Sequence, residues 1–205
     1  PVELKQKLSG SPFTHLLGPD YLTEQRNILA MQVSGPNREL FYLTHMVDPS
    51  QSILQPHSSP APVGHTFIMV MGSHDVSDSL AFFDRHFGNK VMGPLSYRIG
   101  VLSQAYGLPE DTEHALALLS MTDGYGIEID QYPSGASPMP AAVGERGGVV
   151  LVSFSADPEG LKRVPKWAST YVGEQGGVLG GIVSLPSGTP LEILFTEPLL
   201  PSRSN

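Results

Sequence analysis

Three stretches of this chain repeat one pattern: an apolar strand, a short turn, and a second strand with a glutamate near its start. They are residues 28–44, 116–132 and 182–196. Their glutamates are Glu39 in Arg-Glu-Leu-Phe, Glu128 in Ile-Glu-Ile-Asp and Glu192 in Leu-Glu-Ile-Leu. Apolar residues recurring with period two predict strands. The turns Gly35-Pro36-Asn37, Thr122-Asp123-Gly124 and Pro186-Ser187-Gly188 close them into hairpins. A repeated unit of this kind is an architectural signal before it is a chemical one.

The middle copy is the most complete. The run 65–71, His-Thr-Phe-Ile-Met-Val-Met, predicts a strand with His65, Phe67, Met69 and Met71 on one face and Thr66, Ile68 and Val70 on the other. Asp75 with Asp78 three residues on marks a helix start. Val76, Leu80, Phe83 and Phe87 form its apolar stripe, and Gly88 ends it. Residues 91–106 are β-prone but broken by Gly93, Pro94 and Gly100. The third copy opens with a strand at 149–154 and a helix start at Asp157-Pro158-Glu159, which Pro165 must shorten or kink. Residues 176–181 are too glycine-rich to assign. At the N-terminus, residues 1–9 predict a short helix closed by Gly10 and 13–17 a strand, with no opening strand before them.

The organisation is therefore α+β, built of repeated βαβββ modules. Residues 1–47 make a partial module lacking its first strand, 48–64 a Pro/Ser/Gln linker, and 65–133 a complete module. Residues 134–147 are a Pro/Gly-rich linker, 148–197 a third module, and the rest a loose tail. With 205 residues the chain is long enough for a real core, and its 22 Gly and 19 Pro suit strands and turns better than long helices. A net charge of −8 with only 12 scattered Lys and Arg excludes a broad nucleic-acid footprint. The absence of cysteine excludes disulfides, thiolate catalysis and sulfur-ligated metals, so a metal would have to use His, Asp, Glu or Tyr. No apolar run is long enough for a bilayer. The sequence does not open on a basic region followed by an apolar one, so a cytoplasmic protein is expected.

The run His65 to Val70, the helix ending in Phe-Phe-Asp-Arg-His-Phe-Gly, and the Ile-Glu-Ile strand, taken in that order, resemble the vicinal oxygen chelate superfamily. That superfamily includes glyoxalase I, extradiol dioxygenases and the fosfomycin- and bleomycin-resistance proteins. Together with the flanking copies the resemblance covers most of the chain. It implies curled mixed sheets of βαβββ modules that pair around a cup. Members with a metal place a His on a module's first strand and a Glu on its last.

The resemblance therefore points to His65 and Glu128 in the middle copy and Glu192 in the third as ligands of a divalent Fe, Mn, Zn or Ni ion. In the third copy the position of His65 falls near Gly147, which cannot ligate, and the first copy supplies only Glu39, so no set typical of the superfamily is complete. Glu128, and His114 as a base or substitute ligand, are the candidate catalytic residues. Tyr97, Arg98, Tyr106, Tyr125 and Tyr132 are candidates to line the cup, and His74 and His86 are expected to be exposed. The expected function is a metalloenzyme (dioxygenase, lyase or isomerase) acting as a homodimer on a small oxygen-rich or aromatic molecule. The alternative is a metal-free protein of the same fold that binds or sequesters a small molecule. Neither nucleic acid nor membrane is an expected partner.

Overall fold

The computed structural model describes residues 1–136 and 147–199, and arranges its strands in three sheets. The first holds β1 (Thr14–Tyr21), β2 (Ile28–Ser34) and β3 (Leu40–Met46) in that order, all antiparallel. The second holds β4 (Ile68–Ser73), β5 (Lys90–Arg98), β6 (Glu113–Ser120) and β7 (Gly126–Gln131) in the order β4-β7-β6-β5. The third holds β8 (Val152–Ala156), β9 (Trp167–Val172), β10 (Val178–Ser184) and β11 (Pro190–Leu199) in the order β8-β11-β10-β9. In both four-stranded sheets the first strand lies parallel to the last, which demands a crossover between the first and second strands. The result is an α+β modular fold whose first module is incomplete.

The crossovers differ between modules. In the second it is helix α2 (Val76–His86), started by the Asp75 carboxylate, which accepts the Asp78 N–H at 3.1 Å. In the third it is only a 3-10 turn, Pro158–Gly160, where the sequence predicts a helix. Gly160 and Pro165 interrupt any run long enough to nucleate one. Helix α1 (Val2–Lys7) precedes β1 in the first module. Residues 100–105, read as β-prone, instead form the short helix α3 (Gly100–Ala105) with Ser103 buried.

The registers of the hairpins put the three copies in step. β1 and β5 both break register at a Gly-Pro step. Gly18 (φ +82°) and Gly93 (φ +108°) hold the same place there. A Cβ on Gly18 would lie 2.7 Å from the Ala30 carbonyl oxygen, and one on Gly93 2.8 Å from that of Leu116. No side chain fits either gap, so glycine recurs.

One core joins the second and third modules. Met71, Val76, Phe83, Ala117, Leu119, Ile127 and Ile129 pack with Val183, Leu185, Leu191, Ile193 and Phe195. α2 is tied to the third module's crossover at its C-terminal end. There His86 Nδ1 lies 2.8 Å from the Arg163 carbonyl oxygen, and the Lys162 N–H donates to the His86 carbonyl at 2.9 Å. His86 is therefore buried, not exposed as expected, while His74 is exposed. Residues 48–64 are pinned to the second hairpin: Leu54 is buried beside Gly126, and the Gln55 N–H donates to the Gly124 carbonyl at 3.2 Å. Most of the 134–147 connection and the expected tail lie outside the described residues. Among the described residues no helix is long and apolar enough to cross a membrane.

Candidate functional site

Alternation along β7 divides the second sheet's two faces between core and site. Ile127 and Ile129 pair with Met69 and Met71 on β4 and with Leu119 and Ala117 on β6, and all six pack on the α2 side. Glu128 pairs with Val70 and Leu118, and Asp130 with Gly72 and Leu116. These residues, with Ile68, share the opposite face. The first sheet approaches that face. Tyr42 on β3 carries the electrostatic influence of both carboxyls, and Leu17 on β1 reaches α3, its Cδ1 3.3 Å from where a Gly100 Cβ would stand. We call the region where these two surfaces meet the cup.

A carboxyl pair lies at its centre. Asp130 is 4% exposed, and its Oδ1 is buried with no hydrogen-bond partner. Burial, then the charge of Glu128, pushes the Asp130 carboxyl up to about 8. Burial also raises Glu128, opposed by the hydrogen bond that Asp130 supplies. Both carboxyls therefore hold their protons to higher pH than isolated ones do, and the pair titrates as a coupled unit. Three phenols face it. Tyr42 is held well above its ordinary range by burial and then by the charges of Asp130 and Glu128. Tyr97 is raised by burial and then by Glu128, and Tyr132 by burial, Tyr106 and Asp130. The Tyr132 ring lies across Gly72, where any side chain would overlap it. Among the described residues no cation contributes to the shift of either carboxyl.

The sequence-derived metal ligands do not meet. His65 is exposed and precedes the first residue of β4 by three positions. Val70 is the β4 residue opposite Glu128, so His65 is separated from that pairing by roughly 16 Å of extended chain. Odd-numbered positions of β4 also take the α2 side, so extending the strand would turn His65 away from Glu128. Glu192 lies in the third sheet, opposite Ile182 and Ser153. It accepts from the Tyr171 hydroxyl at 2.7 Å and from Ser153, and these bonds lower its pKa. Its face is not the one that packs on the second module. Leu194 and Tyr171 beside it are exposed.

His114, on the face of Glu128 but nearer the start of β6, is buried and lies 3.1 Å from Ser103 Oγ through Nε2. It is a diagonal neighbour of Asp130 across the strands. Among the described residues no three His, Asp or Glu side chains converge as a metal would need. The pair in the cup offers two carboxyls, both inclined by burial toward the protonated form. The residues present do not fit the expected metal.

Register also shows what the sequence reading missed. Gln32 opposes Tyr42 and Ala30 opposes Thr44 in the first sheet, just as Leu118 opposes Glu128 and Leu116 opposes Asp130 in the second. Ile182 opposes Glu192 in the third. Glu192 is thus the counterpart of Glu128, but in the first copy that place belongs to Tyr42. Glu39 sits in the preceding turn, where its carboxylate accepts from the Asn37 N–H and Nδ2, both at 2.9 Å. A shallow cleft lined by Asp157, Glu159, Thr196 and Glu197 lies at the end of the third sheet, with all four exposed. It offers nothing comparable.

No protein-family model matches the chain, and no curated protein matches it in sequence. Solved structures do. Sheets of this connectivity, with first and last strands parallel in the two four-stranded ones, make the vicinal oxygen chelate fold, and the chain has that fold. In particular it is similar to a point mutant of glyoxalase I from Zea mays, with a TM-score of 0.56, 11% identity, and coverage of 94% of this chain and 63% of that one. Lactoylglutathione lyase from Agrobacterium tumefaciens aligns at TM-score 0.39 and 14% identity over 66% of this chain and 96% of that one. A 2,2',3-trihydroxybiphenyl 1,2-dioxygenase from Sphingomonas wittichii aligns at 0.34 and 12% over 98% and 68%. At these identities the likeness is one of fold.

Proposed function

We propose that the chain binds a small organic molecule in the cup between its first and second sheets, with the Glu128–Asp130 pair as polar anchor and no resident metal. The observation that carries this reading is Asp130 Oδ1, buried without a partner on the face that the first sheet approaches. Buried polar atoms in folded proteins are nearly always satisfied, so an orphan on this face calls for a partner that a ligand can supply. Ile68, Val70, Leu116 and Leu118 supply the apolar lining that such sites share. The metalloenzyme reading loses ground because His65, Glu128 and Glu192 stand in separate surroundings.

A second reading keeps an enzyme without that metal set. The Asp130 carboxyl, at about 8, is poised to give a proton near neutrality, and the Glu128 carboxylate to take one. Both readings place the ligand against the same two side chains.

The test is an amide-resolved NMR titration of EDTA-treated protein with catechol and other small aromatic and oxygen-rich molecules. Binders are expected to shift the amides of Glu128, Asp130 and Tyr42 with no metal added. Shifts confined to other faces, or binding only after Zn(II) or Mn(II) is supplied, would overturn the proposal.

A further inference from the structure

We propose that the ligand of this cup is an organic cation, a protonated amine carried on an apolar or aromatic body. Glu128 and Asp130 would hold its N–H groups, and Tyr42, Tyr97 and Tyr132 would wall it. The inference rests on the cup reading above and adds the ligand's charge and shape.

The groups that face the pair leave one role unfilled. On β7 the two carboxyls face only each other. β4 contributes Ile68, Val70 and Gly72, all without charge. β6 contributes Leu116, Leu118 and His114, whose ring is already engaged by Ser103. β5 contributes Tyr97, while Arg98 pairs with Glu113 on the other face. The first sheet contributes Tyr42 and Gln32, which oppose each other on β3 and β2. The site thus holds two buried carboxyls, one oxygen of which no donor reaches, with no counter-charge from the protein among the described residues.

A buried acceptor needs a donor and a buried carboxyl ionises only beside an opposite charge, so the partner that satisfies both needs is a cation that donates hydrogen bonds. An ammonium brings three donors, enough for the orphaned Asp130 Oδ1 and for Glu128. Aromatic walls add attraction for a cation and contact for the body that carries it. A carboxylate or phosphate ligand would bring acceptors to a buried site that already lacks donors. A bare divalent ion would find two carboxyls and no third acidic or imidazole ligand among the described residues, too few to replace its water.

The experiment compares four probes of one shape class on EDTA-treated protein at neutral pH: benzylamine, benzyltrimethylammonium, benzyl alcohol and benzoate. Affinities come from amide shifts of Glu128, Asp130 and Tyr42. Benzylamine is expected to bind about tenfold more tightly than benzyl alcohol, and benzoate least. Glu128→Gln should remove most of the advantage that benzylamine holds over benzyl alcohol. Tyr97→Leu, on the exposed strand β5, should weaken both cations severalfold, with near-UV circular dichroism confirming that each variant is folded. Equal or tighter binding of benzyl alcohol or benzoate in the cup would overturn the cation assignment and leave the cup reading standing. If none of the four moves those amides, both fall.

Discussion

Asp130 concentrates the physical tension of the site. Its carboxyl is buried beside Glu128 and has an oxygen with no partner. A carboxyl raised from 3.8 to about 8 on folding binds more protons in the native state than in the unfolded one. Its contribution to stability is therefore fully present below about pH 3.8 and is lost as pH rises through about 8. Asp130→Asn removes the ionisation while keeping the shape. The variant should be more stable than the parent at pH 9, by on the order of 2 kcal/mol. Denaturant melts at several pH values should show a flatter alkaline limb for the variant. A parent whose stability rises with pH over this range would contradict the assignment.

How much of this was readable beforehand differs from residue to residue. Alternation alone places Glu128 and Asp130 on one face, opposite Ile127 and Ile129. It does not say that the face is buried, and burial is what makes Asp130 chemically unusual. Tyr42 was not legible, because its equivalence to Glu128 depends on pairing register, whereas the eye matches glutamates and so selects Glu39. His65 was misplaced for a related reason. Its apolar run continues upstream of the ladder, and a strand's first paired residue is set by its partner, here Gly126 opposite Ile68.

At the scale of elements, α2 is the helix that matters most. Its stripe was clear from spacing and its cap from Asp75. What spacing could not show is that the stripe's surroundings include a second sheet. Phe83, 2% exposed, belongs to a cluster that reaches Val183, Leu191 and Ile193 of the third module. Phe83→Ala should cost about 3–5 kcal/mol of stability, as measured by chemical denaturation, because the cavity has two rigid walls and little room to collapse. A loss below 1 kcal/mol would mean that the shared core is loose. The third module's crossover and α3 were the least legible elements. One is too short to be a helix despite Asp157 and Pro158, and the other is a helix of six residues whose sequence favours a strand. In α3 tertiary packing overrides weak local propensity, whereas in the crossover Gly160 and Pro165 leave a run too short to nucleate.

At the scale of the molecule, the second module does two jobs with its two faces. The face bearing Ile127 and Ile129 builds the core with α2 and the third sheet. The face bearing Glu128 and Asp130 meets the first sheet and makes the cup. The repeat was visible in the sequence because period-two patterning survives divergence. Its chemistry was not, because a repeated position can keep its place in the ladder and change its residue, as Glu128, Glu192 and Tyr42 do.

On the proposed reading Glu128 and Asp130 act as a coupled carboxyl pair rather than as metal ligands. Carboxyl carbon-13 NMR of both residues across the pH range tests it most directly. The pair should titrate in two separated steps, the upper one near 8 and dominated by Asp130, and neither EDTA nor added Zn(II) should move it. Two carboxyls that both ionise near the ordinary 3.8 and 4.5, or an upper step that Zn(II) abolishes, would contradict it.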